Sequence, residues 1–240
     1  MSPEIASLQN PRVKELRKLH RRRGRASTGL TLLEGPNLVA AARAAGCDLV
    51  EVWADDGSGD VSCSTEVIAA ISTTAAAQSP VAVLRIPAAS TPRRANTLVL
   101  WDVADPGNSG GLVRTAAALG WDVAYTPGTS DMWSPKTLRA GAGGHFATRL
   151  VPIAGDEDLD GLTKVAAVAH GGGGVTDLPS GPYAVFIGNE AHGLPGGLVR
   201  SSHPVTLDLA GGVESLNAVV AGAILMWELS RPQGEVEEEP

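Results

Sequence analysis

The sequence predicts an α/β protein of two domains, and three observations carry that expectation. Short apolar runs alternate with helical segments in both halves of the chain. A run of structure breakers, Pro87-Ala88-Ala89-Ser90-Thr91-Pro92, separates the halves. The chain has 240 residues, 43% hydrophobic and 19% charged, which is enough for one or two packed cores and excludes a disordered polymer.

Asn10-Pro11 opens a helix in which Val13, Leu16 and Leu19 recur at helical spacing, with cations over the remaining surface. A strand over 30–33, a helix over 36–45 and a second strand over 49–53 follow. Ser64 or Thr65 caps a helix running to about residue 77, and a strand over 81–86 completes a βαβαβ alternation. In the second half, strands are expected at 97–102, 123–126, 165–170, 183–187 and 205–207, with helices between several of them. These are near-continuous apolar runs, so both faces of the sheet are covered and the strands are parallel. The expected domains are 1–88 and 96–230. The remainder, 231–240, is an acidic tail with Glu235, Glu237, Glu238 and Glu239 and little to pack, expected to be disordered.

Charge is distributed unevenly. The net charge is −7, yet residues 1–30 carry Arg12, Lys14, Arg17, Lys18, Arg21, Arg22, Arg23 and Arg25 against Glu4 and Glu15 alone, a net +6. Two readings stay open: a solvated amphipathic helix, or an arm that tracks nucleic-acid phosphates and gains by releasing condensed counterions. Cys47 and Cys63 match no zinc or redox spacing, and the five histidines form no ligand pair, so no metal is expected. No stretch approaches the roughly 20 apolar residues of a membrane span, and the N-terminus turns basic where a signal peptide needs an apolar core. A soluble cytoplasmic protein is expected.

Three loops break local rules, and in a parallel sheet the loops after the strands are where ligands bind. The first is Asp105-Pro106-Gly107-Asn108, with Asn108 as an N-cap candidate for a helix over 109–119. Gly110 and Gly111 are poor helix formers in its first turn, and Arg114 follows where the helix dipole disfavours a cation. Glycine N–H groups beside an arginine suit an anion such as an RNA phosphate. The second loop is Ile187-Gly188-Asn189-Glu190-Ala191-His192-Gly193-Leu194. There Gly188 would let a flat ligand lie against the backbone, and Glu190 could pair with a cation or accept from a ligand. The third runs from Leu207 and Leu209 to Ser215-Leu216-Asn217 and leads into an uncharged run over 218–227, a helix that must lie in the core or a subunit interface. Ser215 and Asn217 either cap that helix or face a ligand.

Taken together, these loops resemble the three motifs of the SpoU family of S-adenosylmethionine-dependent RNA ribose 2′-O-methyltransferases, a branch of the SPOUT class. Asp105-Pro106-Gly107-Asn108 with Arg114-Thr115-Ala116 is similar to the first, Ile187-Gly188-Asn189-Glu190 with His192-Gly193-Leu194 to the second, and Ser215-Leu216-Asn217 to the third. Ser134-Pro135-Lys136 and Arg139-Ala140 fit the stretch between the first two motifs. Asn10-Pro11-Arg12-Val13-Lys14 and Glu34-Gly35 resemble the small α/β substrate-binding domain fused in front of such enzymes. Ala191 departs from the family's usual glycine. The resemblance implies a trefoil knot in the second domain, a homodimer with each active site near the subunit interface, and S-adenosylmethionine as cofactor. By position it implies cofactor contacts from Thr126, Gly128, Ile187, Gly188, Glu190, Leu207, Leu209, Ser215, Leu216 and Asn217. Asn108, Arg114, Glu190, Ser215 and Asn217 would form the catalytic surroundings, and Arg114 would join the eight N-terminal cations in holding RNA.

The expected reaction passes a methyl group to a ribose 2′-oxygen, with 23S rRNA as the expected substrate and tRNA as the alternative. The strong basicity of a guanidinium, which makes its neutral form costly, favours Arg114 as a phosphate clamp over Arg114 as a base. Two rivals come from other classes. A nicotinamide-dependent Rossmann enzyme is disfavoured because neither 141–144 nor 171–174 forms a G-x-G-x-x-G opening a helix. A non-catalytic RNA-binding protein would take up no S-adenosylmethionine.

Overall fold

The computed structural model describes residues 4–211 and 215–231, so the acidic tail beyond Arg231 lies outside the described residues. The chain divides into two units, the first holding 1–88 with 131–147 and the second 89–130 with 148–240.

In the first unit, Asn10 caps α1 (Pro11–Lys18) by accepting from the Arg12 N–H, and α1 buries Val13 and Leu16. The basic segment is two helices rather than one. Leu19 turns into the core, and α2 (Arg22–Thr28) starts again before ending on Gly29 in the left-handed region, φ +67°. Next come β1 (Leu30–Glu34), α3 (Pro36–Ala44), β2 (Leu49–Ala54), β3 (Val61–Ser62), α4 (Thr65–Ile71) and β4 (Val81–Arg85). α4 stops six residues short of the expected end because Thr73 is tied elsewhere, its N–H and hydroxyl both donating to Glu34 of β1. The sheet order is β1-β4-β2-β3, with β4 antiparallel to both β1 and β2.

The second unit contains β5 (Thr97–Leu100), α5 (Pro106–Leu119) and β6 (Asp122–Tyr125). After α6 (Pro135–Gly141), which belongs to the first unit, it resumes with β7 (Leu150–Pro152), β8 (Thr163–Ala167), β9 (Tyr183–Ile187), α7 (Gly196–Ser201), β10 (His203–Val205) and α8 (Ala218–Ser230). The six strands form one parallel sheet in the order β10-β8-β9-β5-β6-β7. Every residue of β9 is buried, as the continuous apolar run requires.

One segment is placed differently from expectation. Residues 131–147, expected within the second domain, pack in the first unit. The Asp131 carboxylate accepts from the buried Arg25, and the Trp133 carbonyl accepts from the Thr31 hydroxyl. Arg139 donates to Glu34 at 2.8 Å, and Leu138 is fully buried in a cluster with Leu33, Leu38 and Val52. The first domain is therefore discontinuous in sequence.

His145 lies in the same segment, 3% exposed, with its ring 5.9 Å from that of Trp133. Neither ring nitrogen makes a well-formed hydrogen bond among the described residues, and burial pushes the imidazole down to about 4, with the Met132 backbone offsetting a small part. The folded state holds this ring neutral while the unfolded chain takes up a proton near pH 6.5, so stability is full above that pH and is lost as pH falls toward 4. The expected loss is about 3 kcal/mol across that window. Urea midpoints at pH 7 and pH 4.5 check it; a His145→Phe protein with the same pH dependence as the parent would refute it.

Candidate functional site

The sheet changes direction between β5 and β9. From β5 the chain passes through α5 to β6 on one side, and from β9 it passes through α7 to β10, beside β8 on the other. The crevice at the carboxyl ends of two such strands is the open place in a doubly wound sheet.

The α5 cap is Asp105, whose side chain accepts from the Asn108 N–H at 2.9 Å, with Pro106 in the first turn. Asn108 is therefore not the cap, and its side chain is free to work between loops. Its Nδ2 donates to Glu190 Oε1 at 2.8 Å, and its Oδ1 accepts from Asn217 Nδ2 at 3.2 Å. Glu190 also accepts from the backbone N–H groups of Ala104 at 3.0 Å and Asp105 at 3.2 Å. Asn217 caps α8 through the Val219 N–H at 2.8 Å, so capping and a place in the site are both true of it. One chain of hydrogen bonds thus joins all three loops.

Glu190 does not touch Arg114; what it braces is the first loop. Partial desolvation pushes its carboxyl up, but the bonds from Asn108 and from the backbone N–H groups of Glu190, Ala104 and Asp105 outweigh this and hold it below the usual glutamate range. Asn189 reinforces the second loop. Its side chain donates to the Asp102 carbonyl and accepts from the N–H groups of Ala191 and His192. Asp102 itself lies at φ +56°, a conformation that aspartate tolerates better than most side chains.

Around this network lies a cavity of about 500 Å³. Ile187, Gly188, Glu190, Leu207, Leu209, Ser215, Leu216 and Asn217 line it, with Asn108. Further lining, which sequence reasoning missed, comes from Ala167 at the end of β8 and Val168 and Ala169 after it, with Val205, Ala218, Ala221 and Leu225. The signal for that wall was the apolar β8 run ending just before the glycines at 171–174. The Thr206 hydroxyl pins this loop, donating to the Val168 carbonyl and accepting from the Gly172 N–H. Aliphatic walls with an amide, carboxylate and hydroxyl rim, at a size within the roughly 300–1,000 Å³ of small-molecule clefts, suit a compound that is part flat ring and part polar chain. S-adenosylmethionine is such a compound, and the residues present fit it.

Several expected site residues do other work. Thr126 and Gly128 do not line the cavity. The Thr126 hydroxyl donates to the Asp102 carboxylate at 2.6 Å, and a Cβ at Gly128 would stand 2.2 Å from that carboxylate. Gly188 does line the cavity, but its missing side chain is required by its own loop, because a Cβ there would meet the Gly193 carbonyl carbon at 2.4 Å. Gly110 and Gly111 lie inside α5 and present no free N–H groups to an anion. A Cβ at Gly111 would be 3.1 Å from Val219, and one at Gly222 would be 2.6 Å from Leu112, so small residues let α5 and α8 pack closely. Arg114 is exposed on α5 and does not line the cavity. Among the N-terminal cations, Arg12 pairs with Glu51 and lies over the Trp53 ring. Arg25 is buried, pairs with Asp131 and is unavailable to RNA, whereas Lys14, Arg17, Lys18, Arg21, Arg22 and Arg23 are exposed.

Among the described residues no helix is long and apolar enough to cross a membrane, and no group of three or more side chains could hold a metal ion.

Comparison with known proteins agrees with this geometry. The SpoU rRNA methylase family matches residues 95–227, and the MRM3-like substrate binding domain matches residues 10–82. The chain is 31% identical over 244 residues to the 23S rRNA (guanosine(2553)-2′-O)-methyltransferase RlmP of Bacillus subtilis, covering 94% of this chain and 98% of that one. It is 32% identical over 257 residues to an uncharacterized tRNA/rRNA methyltransferase of Synechocystis, covering 95% of this chain and 94% of that one. The AdoMet-bound rRNA methyltransferase from Sinorhizobium meliloti superposes with a TM-score of 0.86 at 27% identity, covering 97% of this chain and 99% of that one. The parallel sheet, the preceding small domain and the trefoil knot of the SPOUT fold come with that likeness. The chain belongs to the SpoU rRNA methylase family.

Proposed function

We propose that the protein transfers a methyl group from S-adenosylmethionine to a ribose 2′-oxygen of RNA, with 23S rRNA as its substrate. The observation that carries this is the hydrogen-bonded chain Glu190–Asn108–Asn217, which gathers three distant loops around one cavity of the right size and lining. The named activity of the Bacillus subtilis relative supports the choice of RNA.

When bound, S-adenosylmethionine supplies a methyl group on a sulfonium sulfur, open to in-line attack. Ile187, Leu207, Leu209 and Leu216 provide an apolar bed that excludes water from its ring. Gly188 and Ser215, together with the braced Asn108 and Asn217, fix where the rim lies. The Arg114 guanidinium clamps a phosphate next to the reacting sugar and stabilises negative charge growing on the 2′-oxygen.

The working form is a homodimer in the cytoplasm. Val220, Ile224 and Trp227 recur on one face of α8 and are 46%, 38% and 57% exposed, a row of large apolar side chains that favours a covering partner. Sedimentation at the mass of two chains, rather than at 24.5 kDa, checks this.

Transfer of labelled methyl from S-adenosylmethionine to total RNA, followed by mapping of the modified nucleotide, tests the activity. Label in 23S rRNA at a ribose supports it, and label in tRNA alone moves the substrate to tRNA. RNA binding without cofactor uptake or methyl transfer would leave a non-catalytic binding protein.

A further inference from the structure

The eight N-terminal cations are alike in sequence but not in the fold. Lys14, Arg17, Lys18, Arg21 and Arg23 surround a cleft of about 510 Å³ where α1 meets α2. Arg12 and Arg25 are committed to Glu51 and Asp131 and stand outside it, as does Arg22. Of the five, Lys18 alone has an acidic partner among the described residues, Glu15 at 2.6 Å on the open surface of α1. No carboxylate lines the cleft.

The cleft is held by buried contacts rather than by mobile surface chains. Val13, Leu16 and Leu19 seat α1 in the core. His20 Nε2 donates to the Ile71 carbonyl at 2.8 Å and fixes the turn. Arg25 ties α2 down through the Leu19 carbonyl at 2.6 Å. Gly24 permits the approach of the two helices, since a Cβ there would stand 2.1 Å from the Lys18 carbonyl oxygen. Unpaired like charges drawn together by a rigid frame repel one another, and a polyanion relieves that repulsion while releasing its own counterions. The lining has no Phe, Tyr or Trp ring on which to stack a base and no side-chain amide with which to read one, and its imidazole, His20, is half-buried and held by the Ile71 carbonyl.

Granting RNA as the substrate, we propose that this cleft is a phosphate-backbone site: it seats consecutive phosphates of the substrate strand through Arg17, Arg21 and Arg23, without reading sequence. It fixes where the RNA lies, while base selection falls to other surfaces.

The test compares two triple variants of equal net charge in the full-length protein. Arg17→Gln/Arg21→Gln/Arg23→Gln removes the cleft cations. Arg43→Gln/Arg94→Gln/Arg200→Gln removes three exposed arginines outside the cleft. Binding to an unmethylated 23S rRNA transcript is measured against salt, alongside methyl transfer and S-adenosylmethionine affinity. The cleft triple is expected to make the slope of log K against log salt shallower by about 2 to 3, at roughly 0.7 to 0.9 per lost contact. It should also raise KM for RNA about tenfold or more, with kcat and cofactor affinity within about twofold. The control triple should keep the parental slope and KM. Equal losses in both triples, or a loss in neither, would overturn the site. If the parent binds the transcript without methylating it, the proposed activity falls and the slopes still decide the cleft; if the parent does not bind it, both fall.

Discussion

Arg114→Ala is expected to lower methyl transfer by about 10²- to 10³-fold, the scale of losing one preorganised donor to a developing oxyanion, while S-adenosylmethionine affinity stays within about twofold. The separation follows from position. Arg114 is exposed on α5 and absent from the cavity wall, so its truncation removes nothing from the cofactor's bed. It lies six residues after Asn108 on the same helix, about 9 Å along the axis and roughly 240° around it. It therefore presents to a different face from the network, so its truncation leaves the hydrogen bonds between the loops intact. An exposed residue of this kind costs little stability when removed, within about 0.5 kcal/mol, so lost activity cannot be attributed to unfolding. Arg114→Lys separates charge from shape: lysine keeps the cation but loses the two-pronged donor and is expected to recover only part of the rate. Single-turnover methylation with a calorimetric titration of the cofactor measures both quantities. An Arg114→Ala protein that turns over normally would remove the guanidinium from the reaction.

How much of this was legible in the sequence depended on the range of the interaction responsible. The run Tyr183–Ile187 announced a strand covered on both faces because five consecutive buried residues leave no polar side, and that is a local property. Three loops that each broke a local rule did converge on one cavity. What stayed hidden was the partner of each group. Gly111 looked like an anion seat, but its reason is Val219, more than a hundred residues away. Glu190 looked free to pair with a cation or to accept from a ligand, but backbone N–H groups and an amide claim it, and donors of that kind leave no mark on composition. α6 was legible only as the stretch around Ser134-Pro135-Lys136 that fits the family between its motifs, and nothing local says which core receives Leu138; Glu34 and Arg25, far upstream, decide that. The cations of α1 and α2 were likewise equivalent until burial sorted Arg25 from its neighbours.

Glu190→Gln is expected to damage cofactor binding and turnover together, the opposite of the Arg114 pattern. The carboxylate presents two acceptor oxygens to three donors: Oε2 to the Ala104 N–H, and Oε1 to the Asp105 N–H and Asn108 Nδ2. Glutamine has nearly the same shape but offers one acceptor and one NH₂ group. Whichever way its amide is turned, a donor faces a donor, and either the first loop or Asn108 is released. Asn108 is also the partner of Asn217, so the disturbance reaches the third loop. Hydrogen bonds to charged groups contribute about 1.5–3 kcal/mol where dry, and less at an exposed carboxylate such as this one. A weakening of S-adenosylmethionine binding by about tenfold is the expected size, with kcat reduced as well because the rim no longer holds one geometry. The pH dependence gives a second check. Because the folded-state pKa of Glu190 is lowered, its bracing is complete above the ordinary glutamate range and is lost only as pH falls through that lowered value. Cofactor affinity of the parent should therefore stay level from neutral pH down through the ordinary glutamate value of about 4.3 and drop only below it, whereas the glutamine variant should be weak throughout. Parental affinity in Glu190→Gln would mean that the three loops hold together without their carboxylate, and the cavity would then owe its shape to the packing of α5 against α8 alone.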